Sequence, residues 1–279
     1  MRFFDFRVRP PFKGFLSMVM YSQPARRNGF TRNLKFEPSE AAEKQSVELM
    51  LKEMKQGGVE RALVVGRNSG ALGSIDNAEV AEFVGMHRET FVGAASIDVT
   101  DRKRAVQQIE QAIAGGFRAV NIEPGAYAQP MLTDDRRLYP IYAHCEDRKV
   151  PVIIMTGGNA GPDLNYTHPA LLDRVLADFP TLKIVCSHGN WPWVTEILHV
   201  AFRRTNLFVS PDMYLPNMPG MDDYVKAADG FLQDRFLYAS SFPFCPIKEY
   251  ADWFSRLPIR PESMEKVGYC NAMALLSLT

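Results

Sequence analysis

The chain has no net charge, no paired cysteines, no long apolar run and no glycine-rich phosphate loop. Its 32 Lys and Arg balance 32 Asp and Glu, which argues against a general nucleic-acid binder, usually a basic protein. The four cysteines, Cys145, Cys186, Cys245 and Cys270, are far apart and form no CxxC pair. In a chain of 279 residues they read as reduced thiols, not as a disulfide frame. No apolar stretch reaches the roughly 18–20 residues that cross a bilayer. The start, MRFFDFRVRPPF, places arginines where a signal peptide needs a clean apolar run. These absences predict a cytoplasmic protein with no nucleic-acid and no membrane partner. With neither GxGxxG nor a Walker loop, nucleotide phosphates have no cradle of a known kind, and no cofactor is expected.

What is present is ordinary for a globular enzyme-sized chain, 46% hydrophobic and 23% charged. The charge is uneven, however. The first 36 residues hold eight basic residues against one acid, Asp5, so they carry +7 and the rest carries −7.

Short runs rich in Val, Ile and Phe recur along the chain, as strands buried on both faces should. The expected strands are 3–9, 61–66, 91–98, 117–123, 151–156, 183–188, 207–210 and 236–241. Amphipathic stretches lie between them. The first, 39–56, starts at Ser39 as an N-cap and stops at Gly57-Gly58. Strand and helix alternate eight times, which predicts an α/β fold, a single (β/α)8 TIM barrel occupying residues 1–279 as one domain. A doubly wound open sheet is the competing fold, but it usually has a Gly-rich first turn, and this first strand runs into Arg-Pro-Pro. The connection 10–38 is a long loop after strand one, and its mixture of Phe, Met and Arg suits a lid or a subunit contact.

A barrel of this kind carries its site at the C-terminal ends of its strands. Those ends bear Arg7 and Arg9, Arg67, Asp98, Glu123, Met155 and Thr156, His188, Asp212, and Ser240 with Ser241. Strand alternation would put Asp5, Arg7 and Arg9 on one face and stack Cys186 beneath His188. Tyr166 and His168 fall in the segment after the fifth strand, where pocket lining and a helix start are both open readings.

Several segments carry a family resemblance. FFDFRVRPP is similar to a first-strand motif Asp-x-His-x-His-Pro. LYPIYAHCEDRKVPVIIMTGG, FPTLKIVCSHGNWPW, FLYASSFPF and the closing VGYCNAMALLSL resemble the fourth helix with the fifth strand, the sixth strand, the eighth strand and the C-terminal segment of the same family. The chain thus resembles the amidohydrolase-related branch of the amidohydrolase superfamily, which includes aromatic-acid decarboxylases and lactone hydrolases. In its metal-bearing members, histidines of the first, fifth and sixth strands and an aspartate of the eighth hold the ion. By that resemblance the ligand positions here carry Arg7, Arg9, Met155, His188 and Ser241. Arginine stays protonated and donates no lone pair, so no metal is expected.

The reading that follows is a metal-independent hydrolase of a small carboxylate-bearing lactone or ester. His188, Arg9, Glu123 and Asp212 are the expected catalytic residues, with His188 as general base. Arg7, Arg67, Tyr166, His168, Ser240 and Ser241 are the expected substrate-binding residues. The substrate is a small organic anion, and the first loop's apolar surface fits a homo-oligomer. A decarboxylase, or a non-catalytic anion-binding descendant, are the alternatives. In the second, Arg7 and Arg9 form a buried ion-pair network with Asp5 and Glu123.

Overall fold

The computed structural model describes residues 1–70 and 72–278. Seven parallel strands form one curled sheet in the order β1 (Phe3–Val8), β2 (Val59–Val65), β5 (Phe91–Ser96), β6 (Ala119–Ile122), β7 (Val152–Met155), β8 (Ile184–Ser187) and β9 (Leu207–Ser210). A short hairpin, β3 (Asn68–Ser69) and β4 (Gly73–Ser74), projects after β2. Apart from β2, every residue of the seven parallel strands is buried. This explains their unbroken apolar character, since both faces are covered.

The two faces separate by strand period. Alternate residues such as Phe4, Leu63, Val92, Ala119, Ile153, Val185 and Phe208 fill the concave interior. Their neighbours, such as Ala62, Val120, Ile154 and Ile184, pack against the helices outside. The C-terminal segment closes one end of the interior with Tyr269, Ala272, Leu275 and Leu276.

The eighth expected strand, 236–241, is not a continuous ladder. It touches β9 through a single bridge at Val209–Phe236 and β1 through one at Val8–Phe242. Between these, the Leu237 N–H donates to the Val209 carbonyl and the Phe6 N–H to the Tyr238 carbonyl. The segment therefore spans the space between β9 and β1 without regular pairing. The architecture is an α/β fold with a curled parallel sheet, as a TIM barrel contains.

Segment 10–38 is not a loop. It holds a short 3-10 turn and two helices, α1 (Val19–Ser22) and α2 (Pro24–Asn33). Pro24 stands in the first turn of α2, where its missing N–H costs nothing. Phe15, Met18, Met20, Tyr21 and Leu34 are buried, so this segment is part of the folded body. The helix expected over 39–56 is two, α3 (Glu40–Glu43) and α4 (Val47–Gln56). Gln45 breaks the run at φ +50, and Ser46 caps the second helix through the Leu49 N–H as Ser39 caps the first through Ala42.

The remaining helices are α5 (Asn77–Met86), α6 (Arg102–Ala114), α7 (Tyr139–Asp147), α8 (Pro169–Asp178), α9 (Val194–Arg203), α10 (Met221–Asp229), α11 (Ile247–Phe254), α12 (Pro261–Glu265) and α13 (Asn271–Leu275). Among the described residues, no helix is long and apolar enough to cross a membrane.

Candidate active site

The site begins with an irregularity in β1. Asp5 pairs with Ala62 and Val8 with Val64, so β1 advances three residues while β2 advances two. The extra residue is a β-bulge, and it breaks the alternation. Asp5 stays on the outer side with Ala62, whereas Arg7 reaches across the interior toward the ends of β6 and β9. The expected sharing of one face by Asp5, Arg7 and Arg9 is therefore corrected. So is the expected Asp5–arginine pair. Asp5 instead accepts from the Ser240 N–H at 2.9 Å, the Arg7 N–H at 3.1 Å and the Ser240 hydroxyl.

Glu123, just past β6, is the centre of the cationic layer. The Arg9 guanidinium donates to it at 3.0 Å, and Arg67 approaches its two oxygens at 3.1 and 2.9 Å. Arg7 stands farther off, 3.7 Å from Glu123 and 3.9 Å from Asp212. All of these groups are buried. Burial by itself would raise the Glu123 carboxyl, but Arg67, Arg9 and Arg7 together hold it at about 2. Among the described residues, the three side-chain nitrogens of Arg7 have no hydrogen-bond partner. Unpaired buried donors are expensive, and they are uncommon away from functional sites.

His188 follows β8 at φ +63 and opens the tight turn His188–Asn190. Its Nδ1 lies 2.9 and 2.8 Å from the two oxygens of Asp212, and its backbone N–H also donates to that carboxylate at 3.3 Å. Asp212 sits just past β9, itself at φ +46. Two neighbouring strand ends thus deliver the pair, each through a left-handed residue. With Nδ1–H directed at Asp212, Nε2 is the nitrogen left with a lone pair. Burial pushes the His188 pKa below its ordinary value, against the pull of Asp212, which favours the neutral ring. The ring stands edge-on to Tyr214 at 5.2 Å.

Two glycines shape the opposite side. A Cβ on Gly157 would lie 2.7 Å from the His188 carbonyl, and one on Gly158, at φ +64, would overlap the Tyr214 hydroxyl. The Gly-Gly pair after β7 lets both residues come close. Cys186 faces the helix side with Ile184, its sulfur 3.0 Å from the Thr156 hydroxyl. Burial pushes its thiol up to about 12, and the expected stacking beneath His188 is replaced by this outward position.

A cavity of about 420 Å³ opens over this layer. His188 and Arg67 line it directly, with Met155, Met213, Tyr214 and Phe244. Arg7, Arg9, Glu123 and Asp212 stand outside its lining as buried support. Arg26, Phe30 and Asn33 of α2 form a further wall. That wall was hidden in sequence among the loop's arginines, although Pro24 could have marked a helix start. Besides Arg7, four further expected substrate contacts lie away from the lining. His168 caps α8, its Nδ1 accepting from the Ala170 N–H at 3.3 Å, and its ring packs on Trp193. Tyr166 covers Gly161. The Ser240 hydroxyl is engaged by Asp5, and Ser241 is buried at φ +55, away from the cavity lining.

The resemblance in sequence implies a metal, and the donor set does not fit one. Among the described residues, no three His, Cys, Asp or Glu side chains are grouped to hold an ion. Arginines cannot ligate, and the Arg7 guanidinium already brings a positive charge between Glu123 and Asp212.

No curated protein matches the chain. Among solved structures, an uncharacterised TIM-barrel protein from Bordetella bronchiseptica is 54% identical, covers 99% of both chains and superposes with a TM-score of 0.97. A 2,6-dihydroxybenzoate decarboxylase from Rhizobium is 15% identical over 100% of this chain and 99% of that one, with a TM-score of 0.77. A 4-oxalomesaconate hydratase from Rhodopseudomonas palustris is 19% identical over 99% and 95%, with a TM-score of 0.68. The last two likenesses concern the fold alone. The family model for amidohydrolases matches residues 40–278, nearly everything after the first strand and its helical cap. The chain belongs to the amidohydrolase family.

Proposed function

We propose that this protein is a metal-independent enzyme whose His188–Asp212 pair activates water against a small carboxylate-bearing lactone or ester. The observation that carries the reading is the 2.8 Å contact of His188 Nδ1 with Asp212, at the wall of a cavity that Arg67 also lines. A neutral imidazole oriented by a carboxylate is a general base. Water adds to the carbonyl carbon while its proton passes to His188 Nε2. The carbon–oxygen bond of the ester then breaks, and the leaving oxygen takes that proton back. Arg67, backed by Arg9 and Arg7, holds the substrate carboxylate or the oxyanion. Glu123 keeps the guanidiniums together. The same reading takes segment 236–241 as the eighth stave of one (β/α)8 domain in a cytoplasmic homo-oligomer.

A lyase is the second reading, favoured by the fold's likeness to a decarboxylase and a hydratase. There His188 would deliver a proton to carbon, or move one during water addition. The test uses chelator-treated full-length protein on a panel of lactones, esters and aromatic acids. Hydrolysis that survives chelation and disappears in His188→Gln is expected. Release of CO2 from an acid, or activity restored only by a divalent metal, would overturn the proposal.

A further inference from the structure

The basic start of the chain resolves almost wholly into pairs. Arg2 meets Glu265 at 2.9 Å, Lys13 meets Glu82, and Arg32 meets Glu37 at 3.7 Å. Arg27 is buried and held by Glu43 and by the carbonyls of Met20 and Ala42. Arg26 and Lys35 are exposed and form no ion pair among the described residues, and of the two Arg26 lines the cavity.

Its position is fixed by α2. Arg26, Phe30 and Asn33 follow at spacings of four and three, hence on one face of the helix, and all three line the cavity. Phe30 rests edge-on against Tyr214 at 5.8 Å and Phe244 at 5.6 Å. The cap is tied down on several sides. The Tyr21 hydroxyl donates to the Arg9 carbonyl, the Thr31 hydroxyl to the Phe244 carbonyl, and the Asn217 amide to the Leu34 carbonyl. These bonds tie the wall to the strand ends and to the segments after them. Arg27 lines the cavity too, but its guanidinium is taken up by Glu43 and two carbonyls. The wall thus brings one guanidinium that is unpaired among the described residues, that of Arg26, from a different element than Arg67, with Phe30, Met155, Met213 and Phe244 among the lining. Burial pushes the Tyr214 hydroxyl up to about 12, and Arg26 is close enough to oppose that shift.

We propose that Arg26 is the specificity-determining residue for a second anionic group of the substrate, held across an apolar body from the carboxylate bound at Arg67. The inference rests on the functional reading above and narrows its substrate class to dianions with an apolar middle. Arg26 and Arg67, on different elements of a cavity also lined by apolar side chains, suit that combination, because each carboxylate finds a charge-assisted partner while the body leaves water.

The test is calorimetric and needs no known substrate. Full-length protein is titrated with matched probes, benzoate against benzene-1,3- and benzene-1,4-dicarboxylate, and hexanoate against adipate. At least one dicarboxylate is expected to bind about tenfold or more tightly than its monocarboxylate, with Arg26→Ala removing that preference and changing monocarboxylate affinity by less than about twofold. Arg26→Lys should restore part of it. Arg26 is exposed, so circular dichroism of the variants should match the wild type. A wild type without the preference, or a preference that survives Arg26→Ala, overturns the assignment. If the monocarboxylates themselves do not bind, or bind equally well to Arg67→Gln, the functional reading fails first and takes this inference with it.

Discussion

The interior of the curled sheet has two ends that are equally buried and chemically opposite. At one end Phe4, Phe6, Leu63, Val92 and Val185 meet the C-terminal Tyr269 and Leu275. At the other Arg7, Arg9, Arg67, Asn121 and Glu123 occupy the corresponding space at the strand ends. Burial of the apolar end is favourable whatever surrounds it. Burial of the charged end is favourable only while every guanidinium has a partner. Arg7 has no hydrogen-bonded partner for its side-chain nitrogens among the described residues. The apolar end is thus closed by packing within the chain, whereas the charged end is held by ion pairs of unequal closeness, 3.0 Å for Arg9 but 3.7 and 3.9 Å for Arg7.

The sharpest way to break this contrast is a reciprocal pair of substitutions. His188→Gln should lower kcat by about 10³-fold, roughly 4 kcal/mol of barrel-mouth chemistry, while the melting temperature stays within a few degrees. Phe6→Ala should do the reverse. A cavity in the apolar end costs about 3–5 kcal/mol in urea unfolding, and anion binding by the folded fraction should persist. Comparable losses of both properties in both variants would mean that the two ends are not separable.

Glu123→Gln tests the charged end alone. It removes the carboxylate that Arg9 and Arg67 share. The expected cost is about 3 kcal/mol of stability, because cations are left buried without their counter-charge. The same residue fixes the direction of acid sensitivity. Its carboxyl is held at about 2 against an ordinary 4.5. The stability it contributes is therefore present above pH 4.5 and is lost as the pH falls toward 2. Urea midpoints for wild type and Glu123→Gln should converge over that range, and parallel curves would contradict the assignment. For activity, the base must be neutral. With His188 lowered from its ordinary value of 6.5, the acid limb of kcat/KM should have its midpoint below pH 6.5.

Much of this architecture is legible in sequence, for identifiable reasons. Strands covered on both faces need continuous apolar residues, so β5 to β9 fall close to where the composition puts them. Strand-end logic also finds His188, Asp212, Arg67 and Glu123, because topology brings those ends together without any local motif. Three features escape. A bulge adds one residue to β1, and alternation carries no trace of it. The helix α2 faces both a cavity and the protein body, so it lacks an apolar stripe. Segment 236–241 touches its neighbours at isolated bridges, although its residues read as a strand. His168 shows the limit of placing residues by loop, since the same position after a strand serves as a helix cap.

The smallest expected effect concerns the other product of the bulge. By keeping Asp5 outside while Arg7 enters, it buries a carboxyl beside Ser240 with no guanidinium hydrogen bond. Burial raises the Asp5 pKa from 3.8 to about 7, although three donors favour its charged form. A raised carboxyl contributes stability that is fully present below pH 3.8 and is lost as the pH rises through about 7. That is the opposite sign to Glu123. Asp5→Asn keeps the shape and cannot ionise. Relative to wild type it should gain roughly 5–10 °C in melting temperature between pH 5 and pH 8. A difference that stays constant with pH would mean that the donors from Ser240 and Arg7 already hold Asp5 ionised throughout. In that case a buried carboxylate on the outer face of the sheet needs no cation, and the conditional stability argued for the charged end would be a property of Glu123 and its arginines alone.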